Sequence, residues 1–250
     1  MSELLDYMPL LLGGALTTVA LAVCSALLAT TLGLLGAWGR VAGGRIARGA
    51  VFVYTTLGRG IPDLVLILLV YFGGQRLIND VGEGLGLPFI EVSKFWAGVA
   101  AIGVLYGAYL TETFRGAWIA VPRGQAEAAR ALGMPMRGEF LRVTGPQALR
   151  HALPGYGNVW LVLVKSTAVV SVIGLDDLVG LADKAGKSTR EPFLFFVAVL
   201  LVYLAITAVS DRLLAWAERW ANTGQDVGRG GDGPGGRRGK PAAPAQEEAA

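Results

Sequence analysis

The sequence predicts an all-α integral membrane protein with about five transmembrane helices. Hydrophobic residues make up 53% of the 250-residue chain and charged residues only 16%, whereas soluble domains carry about a quarter charged residues. The apolar runs are long enough for helices that cross about 30 Å of hydrocarbon. Basic residues are concentrated in alternate connecting segments, as in membrane proteins whose Lys and Arg residues remain in the cytoplasm.

The predicted spans are 10–38, 51–72, 95–119, 154–173 and 192–212. The first is the clearest, because the sequence contains no charged residue from Tyr7 to Gly39. The second contains Pro62, which suggests a kink or a late helix start. Arg59 and Asp63 are four residues apart in this span, so they are expected to face each other on one helix as a structural ion pair.

The distribution of charge predicts the orientation of the chain. Segment 40–48 holds three arginines and segment 115–150 holds six, whereas the segments after the second and fourth spans contain several acidic residues. Basic segments favour the cytoplasm, so the N-terminus is expected outside and the C-terminus inside. Residues 222–250 are rich in Gly, Pro, Arg and Ala, a composition that predicts a disordered cytoplasmic tail.

The connection 121–150 between the third and fourth spans carries the most informative pattern. Residues 125–132 are rich in Ala, Glu and Arg, which favour a helix, and Gly133 can end that helix in the left-handed conformation. We expect Ala128 and Ala129 to form a small-residue side that another surface can approach closely. Glu127 could form ion pairs across that contact, and the alternative is a solvated helix face.

Glu127-Ala128-Ala129, followed at fixed distances by Gly133 and Pro146, resembles the EAA loop of ABC importer membrane subunits. Gly145 stands where that family usually has a bulky apolar residue. Further elements similar to the polar amino acid branch of the family occur at 59–63, 106–116, 165–168 and 174–177. Together they resemble the Q-type subunits of importers for histidine, for lysine, arginine and ornithine, or for opines, over about 10–220.

The resemblance implies a type I ABC importer permease (MetI-like) fold over residues 1–221, in the bacterial inner membrane and surrounded by lipid. It implies a non-catalytic subunit of an importer for polar or basic amino acids. The implied partners are a second permease subunit, identical or related, two ABC ATPase subunits and a periplasmic amino-acid-binding protein. ATP and Mg²⁺ would be used by the ATPase, and no cofactor is expected on this chain. The EAA loop would couple the ATPase to the spans.

Candidates for the substrate pathway are Lys165, Ser166, Thr167, Asp176 and Asp177. A charge such as Lys165 within a span usually has a partner or lines a wet cavity, and snorkelling to the interface is the alternative. Asp176 and Asp177 follow the fourth span on the predicted outer side, where they could attract a basic amino acid. Alternatively, they contact the external binding protein or cap the following segment.

Several other functions are not supported by the residues present. Residues 185–189, Ala-Gly-Lys-Ser-Thr, look like part of a phosphate-binding loop, but Leu181 stands where the motif needs glycine. One cysteine and one histidine predict no metal cluster, and the basic loop lacks the interleaved aromatic residues of a nucleic-acid site. The remaining alternatives are a secondary amino-acid transporter, whose repeated halves are not found, and a structural membrane subunit of another complex.

Overall fold

The computed structural model describes residues 2–222, with side chains from residue 4 onward, and every regular element in that range is helical. Of the predicted disordered tail 222–250, Asn222 is the last residue of a helix, and the remainder lies outside the described residues. The α-helices are α1 Ser2–Asp6, α2 Met8–Val41, α3 Arg45–Gly60, α4 Asp63–Leu68, α5 Gly74–Gly84, α6 Lys94–Ala120, α7 Arg123–Ala131, α8 Met136–Glu139, α9 Gly145–Ser166, α10 Leu178–Thr189 and α11 Pro192–Asn222. Two π-helical turns, Leu69–Gly73 and Phe140–Thr144, precede α5 and α9, and a 3₁₀ helix, Thr167–Ile173, follows α9.

Five helical stretches of the described residues are long and apolar enough to cross a membrane, which confirms the predicted fold class. They are Met8–Val41, Asp63–Gly84, Lys94–Ala120, Met136–Ile173 and Pro192–Asn222. Four of the predicted ranges lie inside these stretches. The predicted range 51–72 does not, because the helix is interrupted within it and resumes at Asp63.

The interruption is centred on Pro62. Helix α3 ends at Gly60, Ile61 and Pro62 adopt extended backbone angles, and α4 begins at Asp63. Proline has no N–H for an intrahelical bond and disfavours a helical conformation at the preceding residue. The sequence-based expectation of a late helix start therefore describes this segment, and the two helices on either side of Pro62 both pack against α6.

Helix α6 lies at the centre of the bundle, in contact with α2, α3, α4 and α9. Small residues let these helices approach closely. A Cβ atom at Gly36 of α2 would lie 2.3 Å from Oγ1 of Thr111, and one at Gly58 of α3 would lie 2.7 Å from Cβ of Ala108. Membrane helices in lipid have no hydrophobic driving force for association, so close packing of this kind stabilises the bundle instead. A second apolar cluster joins α10 and α11 to the start of α2, around Leu178 and Phe195.

Gly14 is the point of closest approach between α2 and α10, because a Cβ atom there would lie 2.9 Å from N and Cα of Leu178. We expect Gly14→Val to lower the thermal unfolding midpoint in detergent by several degrees, since overpacking costs about 1–3 kcal/mol and each kcal/mol shifts a chain of this size by about 2–4 °C. The matched control is Gly13→Val, since a Cβ at Gly13 meets nothing within 4 Å. Equal midpoints for the two variants would contradict this packing.

Candidate functional site

Three polar side chains from distant parts of the sequence meet beside the middle of α6. The hydroxyls of Tyr106 and Ser166 donate hydrogen bonds to Oδ2 of Asp63 over 3.0 and 2.6 Å. Tyr106 lies about 20 Å from either end of α6, at 1.5 Å per residue. These three residues, the central polar cluster, therefore lie near half the depth of the bundle.

The two segments that carry Asp63 and Ser166 both change their backbone conformation at these residues. Helix α4 begins at Asp63 after the break, and α9 ends at Ser166, where the chain tightens into a 3₁₀ helix. At membrane depth, interrupted helices are tolerated only where protein or a water-filled cavity satisfies their backbone groups. The cluster therefore has the local architecture of a polar site within the membrane. The sequence does not predict Tyr106 as a site residue; its signals are a hydroxyl in an apolar span and its place in the family-like element 106–116.

The predicted ion pair between Arg59 and Asp63 is wrong. The two residues belong to different helices, so their four-residue spacing does not place them on one helical face. Asp63 instead accepts the two hydroxyl hydrogen bonds of the central polar cluster. The guanidinium carbon of the exposed Arg59 lies 5.7 Å from the centre of the Tyr109 ring, in a cation–π contact.

A cavity of about 430 Å³ opens between α2, α3 and α6 beside the cluster. The charged residues of the cavity are Glu112, Arg59 and Arg40. The carboxylate of Glu112 lies 4.0 Å from Nε of Arg40 and accepts a 2.7 Å hydrogen bond from Arg115. The cavity extends from the break in the second span to the end of α2, and it is lined by Arg40, Phe52, Thr55, Thr56, Arg59, Gly60, Tyr109 and Glu112. Its volume is within the range of about 300–1,000 Å³ that is typical of small-molecule sites.

The predicted pathway residues 165–167 lie where α9 passes into the 3₁₀ helix, and only one of them reaches the cluster. Ser166 belongs to the cluster. Lys165 is exposed, and none of the side chains described from residue 4 to 222 forms a hydrogen bond or an ion pair with it. Thr167 is fully buried and donates to the carbonyl oxygen of Val164 over 2.6 Å. The single chain therefore presents the Lys165 ammonium outward, near half depth, while Thr167 is part of the packing.

The two aspartates after the fourth span have different surroundings. Asp177 is fully buried at the N-cap of α10, where its Oδ1 accepts a 2.9 Å hydrogen bond from the backbone N–H of Gly180. Asp176 is exposed and pairs with Lys184. Of the alternatives for Asp177, the structure shows the cap, which satisfies one of the unpaired N–H groups at the start of the helix.

Burial also raises the pKa of Asp177 from 3.8 to about 6, although the hydrogen bond from Gly180 lowers it in part. Its protonated form is favoured in the folded state, so stability falls as pH rises from about 4 to about 6, by at most about 3 kcal/mol for a shift of this size. We expect Asp177→Asn to remove this decline in unfolding midpoints measured from pH 4 to 7. Asp176→Asn, at an exposed position, should leave the decline in place, and an Asp177→Asn midpoint that still falls would contradict the assignment.

The loop between α6 and α9 contains the predicted helix as α7, Arg123–Ala131. Gly133 follows it at φ +78°, with hydrogen bonds from its N–H to Arg130 and from the N–H of Met134 to Ala129. These two bonds form a Schellman motif, which requires the left-handed conformation that glycine adopts at little cost. Glycine at this position is therefore explained by the backbone.

The surface of α7 differs in one respect from the prediction. Glu127 and Ala128 are exposed, but Ala129 is only 4% exposed. The two alanines therefore do not form one approachable side, because Ala129 packs inside the loop. Leu132 and Met136, 84% and 80% exposed, extend the exposed surface beyond the end of α7. This exposed surface therefore combines a charged residue, a small residue and two apolar side chains.

The π-helical turn before α9 accounts for Gly145. A Cβ atom at this position would lie 2.6 Å from the carbonyl oxygen of Phe140, so the bulky residue usual in the family would not fit this backbone. Pro146, which is exposed, occupies the first turn of α9, where a missing N–H costs no intrahelical bond. The π turn itself was not predicted from the sequence.

Within residues 2–222, five helical stretches are long and apolar enough to cross a membrane. With a polar cluster near half depth and an exposed helix in the longest loop, they have the architecture of a multi-pass membrane transport subunit. Residues 29–223 match the family of the binding-protein-dependent transport system inner membrane component. The chain belongs to this family, the permease subunits of ABC importers.

Known relatives match nearly the whole chain. The HisQ permease of the histidine/lysine/arginine/ornithine transport system of Escherichia coli K12 is 46% identical, over 88% of this chain and 97% of its own length. The nopaline permease NocQ of Agrobacterium fabrum is 42% identical, over 84% of this chain and 90% of its own. The arginine permease ArtQ of Haemophilus influenzae is 41% identical, over 82% and 90%.

Solved structures agree with the fold. A crystal structure of an amino acid ABC transporter with histidines has a TM-score of 0.75 and 31% identity, over 87% of this chain and 96% of that chain. The inward-facing methionine transporter MetNI has a TM-score of 0.61 at 23% identity, over 84% and 97%, a similarity of fold alone. Both are consistent with the predicted MetI-like permease architecture.

Proposed function

We propose that this chain forms the translocation pathway of an ABC importer for polar or basic amino acids in the bacterial inner membrane. In this proposal residues 1–221 form the permease domain, with the N-terminus outside and the C-terminus inside. The observation that carries it is the central polar cluster beside Lys165, which places groups of opposite charge near half the depth of the membrane. An amino acid carries both charges, and each would meet a complementary group there.

The chemistry of the site supports this substrate class. The Asp63 carboxylate suits an ammonium or guanidinium group, while the Lys165 ammonium and the Arg59 guanidinium suit a carboxylate. Such interactions are stronger in a partly desolvated site than in water. The cavity of about 430 Å³ next to the cluster has the size of an amino-acid site and provides the path towards the cytoplasm.

The exposed groups support a complex of several subunits. Lys165 has no partner within the described part of the chain, and only 6% of the apolar window in Asp63–Gly84 is buried. A charge at membrane depth requires a partner or a wet cavity, so a second permease subunit, identical or related, completes the pathway. Two ABC ATPase subunits and a periplasmic amino-acid-binding protein complete the importer, and the ATPase rather than this non-catalytic chain uses ATP and Mg²⁺.

The exposed surface of α7 is the proposed coupling site. Glu127 and Ala128, with Leu132 and Met136 beside them, dock on the ATPase, and the Schellman turn at Gly133 fixes the end of the helix. Closure of the ATPase dimer on ATP then moves α7. The spans switch between two packings as rigid bodies, so that the cavity opens first to the outside and then to the cytoplasm.

Uptake by the reconstituted complex tests the proposal. The permease pair, its ATPase and its binding protein are placed in vesicles, and radiolabelled arginine, histidine and leucine are supplied separately. We expect ATP-dependent accumulation of arginine or histidine in excess of leucine, and none without the ATPase. Accumulation driven by a proton or sodium gradient without the ATPase would support the secondary-transporter alternative. A failure to transport any amino acid would favour the structural-subunit alternative.

A further inference from the structure

The loop between α6 and α9 contains a buried carboxylate outside the Glu-Ala-Ala pattern. Glu139, the last residue of α8, is only 5% exposed. Its Oε1 accepts a 2.8 Å hydrogen bond from the hydroxyl of Thr144, which is also buried, and its Oε2 lies 3.8 Å from a guanidinium nitrogen of Arg130. Glu139 lies on α8, Thr144 is the last residue of the π turn, and Arg130 lies on α7. The Glu139 side chain therefore contacts the segments on both sides of α8.

The two contacts of Glu139 differ in strength. A buried carboxylate is costly unless it is hydrogen-bonded, and a hydrogen bond to a charged acceptor is stronger than one between neutral groups. The side chain of Arg130 is 61% exposed, and an ion pair that faces solvent contributes little. The Thr144 hydroxyl is therefore the principal partner, and Arg130 is secondary.

Residues 132–135 separate α7 from α8, and the π turn Phe140–Thr144 interrupts the regular α-helical hydrogen bonding between α8 and α9. Helix α8 continues through the π turn into α9 as one helical stretch, Met136–Ile173, and such a π turn is a rare, short conformation frequent at functional sites. The ring of Phe140 in this turn lies 5.6 Å from that of Trp118 at the end of α6. The Glu139–Thr144 bond spans this π turn and fixes its geometry, with Thr144 directly before the start of α9.

We infer that Glu139 is a positioning residue for energy coupling, which makes α7, α8 and α9 move as one body. Helix α9 is continuous from Gly145 to Ser166, so its far end carries Ser166 of the central polar cluster and the adjacent Lys165. A displacement of α7 reaches that site through Thr144 and α9. The inference rests on the proposed coupling role of α7.

The test is the number of arginine or histidine molecules accumulated per ATP hydrolysed by the reconstituted importer. Thr144→Val removes the donor at nearly constant volume, and Glu139→Gln keeps an acceptor but removes the charge. Because the Thr144 bond is the principal contact, we expect the ratio to fall about tenfold in Thr144→Val and about threefold in Glu139→Gln, while ATP hydrolysis continues. Arg137→Gln is the control, since Arg137 is exposed on the same helix α8.

Co-purification of the ATPase separates this inference from the proposed function. We expect the ATPase to remain bound to the parent chain and to both variants, because α7 keeps its docking surface. A normal transport ratio in Thr144→Val and Glu139→Gln would overturn the role of Glu139 alone. If the parent chain does not bind an ATPase, both the coupling role of α7 and this inference fail. If Glu139→Gln does not assemble, the ratio in Thr144→Val decides the question.

Discussion

Glu127→Lys is expected to lower ATP-driven uptake about 100-fold or more while the chain still inserts into the membrane. Glu127 is exposed on α7, and no other described side chain forms a hydrogen bond or ion pair with it, so its carboxylate is free to pair with a partner. Charge reversal replaces attraction by repulsion in the docked surface, and like-charge contacts across interfaces cost several kcal/mol. Uptake and the amount of chain in isolated membranes are measured together.

Glu218→Lys is the control for this reversal, because Glu218 lies in the last turns of α11, at the same end of the bundle. Arg150, at the start of the fourth span, donates a 2.6 Å hydrogen bond to the carbonyl oxygen of Ala221. The loop that contains α7 and the end of α11 therefore lie at the same end of the bundle. The control should keep uptake near that of the parent. Equal uptake in the two variants would show that Glu127 has no special role in coupling.

Asp63→Ala is expected to reduce uptake about 100-fold, with ATP hydrolysis still detectable. The change removes the only carboxylate of the central polar cluster, so the hydroxyls of Tyr106 and Ser166 lose their charged acceptor. A hydrogen bond to a charged group contributes about 1.5–3 kcal/mol, and the substrate also loses its counter-charge. Uptake is measured over a range of substrate concentrations, so that weaker binding and slower transport are separated.

Two milder changes serve as controls for Asp63→Ala. Ser166→Ala removes one hydrogen bond but leaves the carboxylate, so we expect a loss of about tenfold or less. Asp63→Asn keeps the acceptor and removes the charge, so a loss close to that of Asp63→Ala would assign the effect to charge. If Asp63→Ala transports as well as the parent, the cluster is structural and is not part of the pathway.

Local signals in the sequence were sufficient for the fold class. A membrane span is predicted from the apolar residues of one stretch. Backbone groups exposed to hydrocarbon must be hydrogen-bonded within that stretch, so it forms a helix independently of the rest of the chain. The end of α7 is also local, because the turn at Gly133 depends on the φ of one residue. A kink or a late helix start near Pro62 is also predictable locally, because proline affects its own backbone and that of the preceding residue.

The candidate site required the tertiary structure. Asp63 and Ser166 lie 43 and 60 residues from Tyr106. All three residues lie in elements that resemble the family, but that resemblance does not show that their side chains meet. The predicted pair of Arg59 and Asp63 is wrong because a single helix was assumed on both sides of a proline.

The environments of individual side chains were also beyond local patterns. Ala129 and Asp177 are buried, whereas their neighbours in sequence, Ala128 and Asp176, are exposed. Local spacing does not distinguish the members of either pair. Glu139 carries no signal in the sequence beyond its charge, and only its contacts with Thr144 and Arg130 indicate a role.

The most direct test of the coupling surface is cysteine crosslinking from Ala128 in intact membranes, with the natural Cys24 replaced by serine. Ala128→Cys should form a crosslinked product that contains the ATPase, and Ala129→Cys should react far less, because Ala129 is only 4% exposed. An Ala128→Cys chain that never captures a nucleotide-binding subunit would contradict the account of α7 as the contact through which ATP drives this permease.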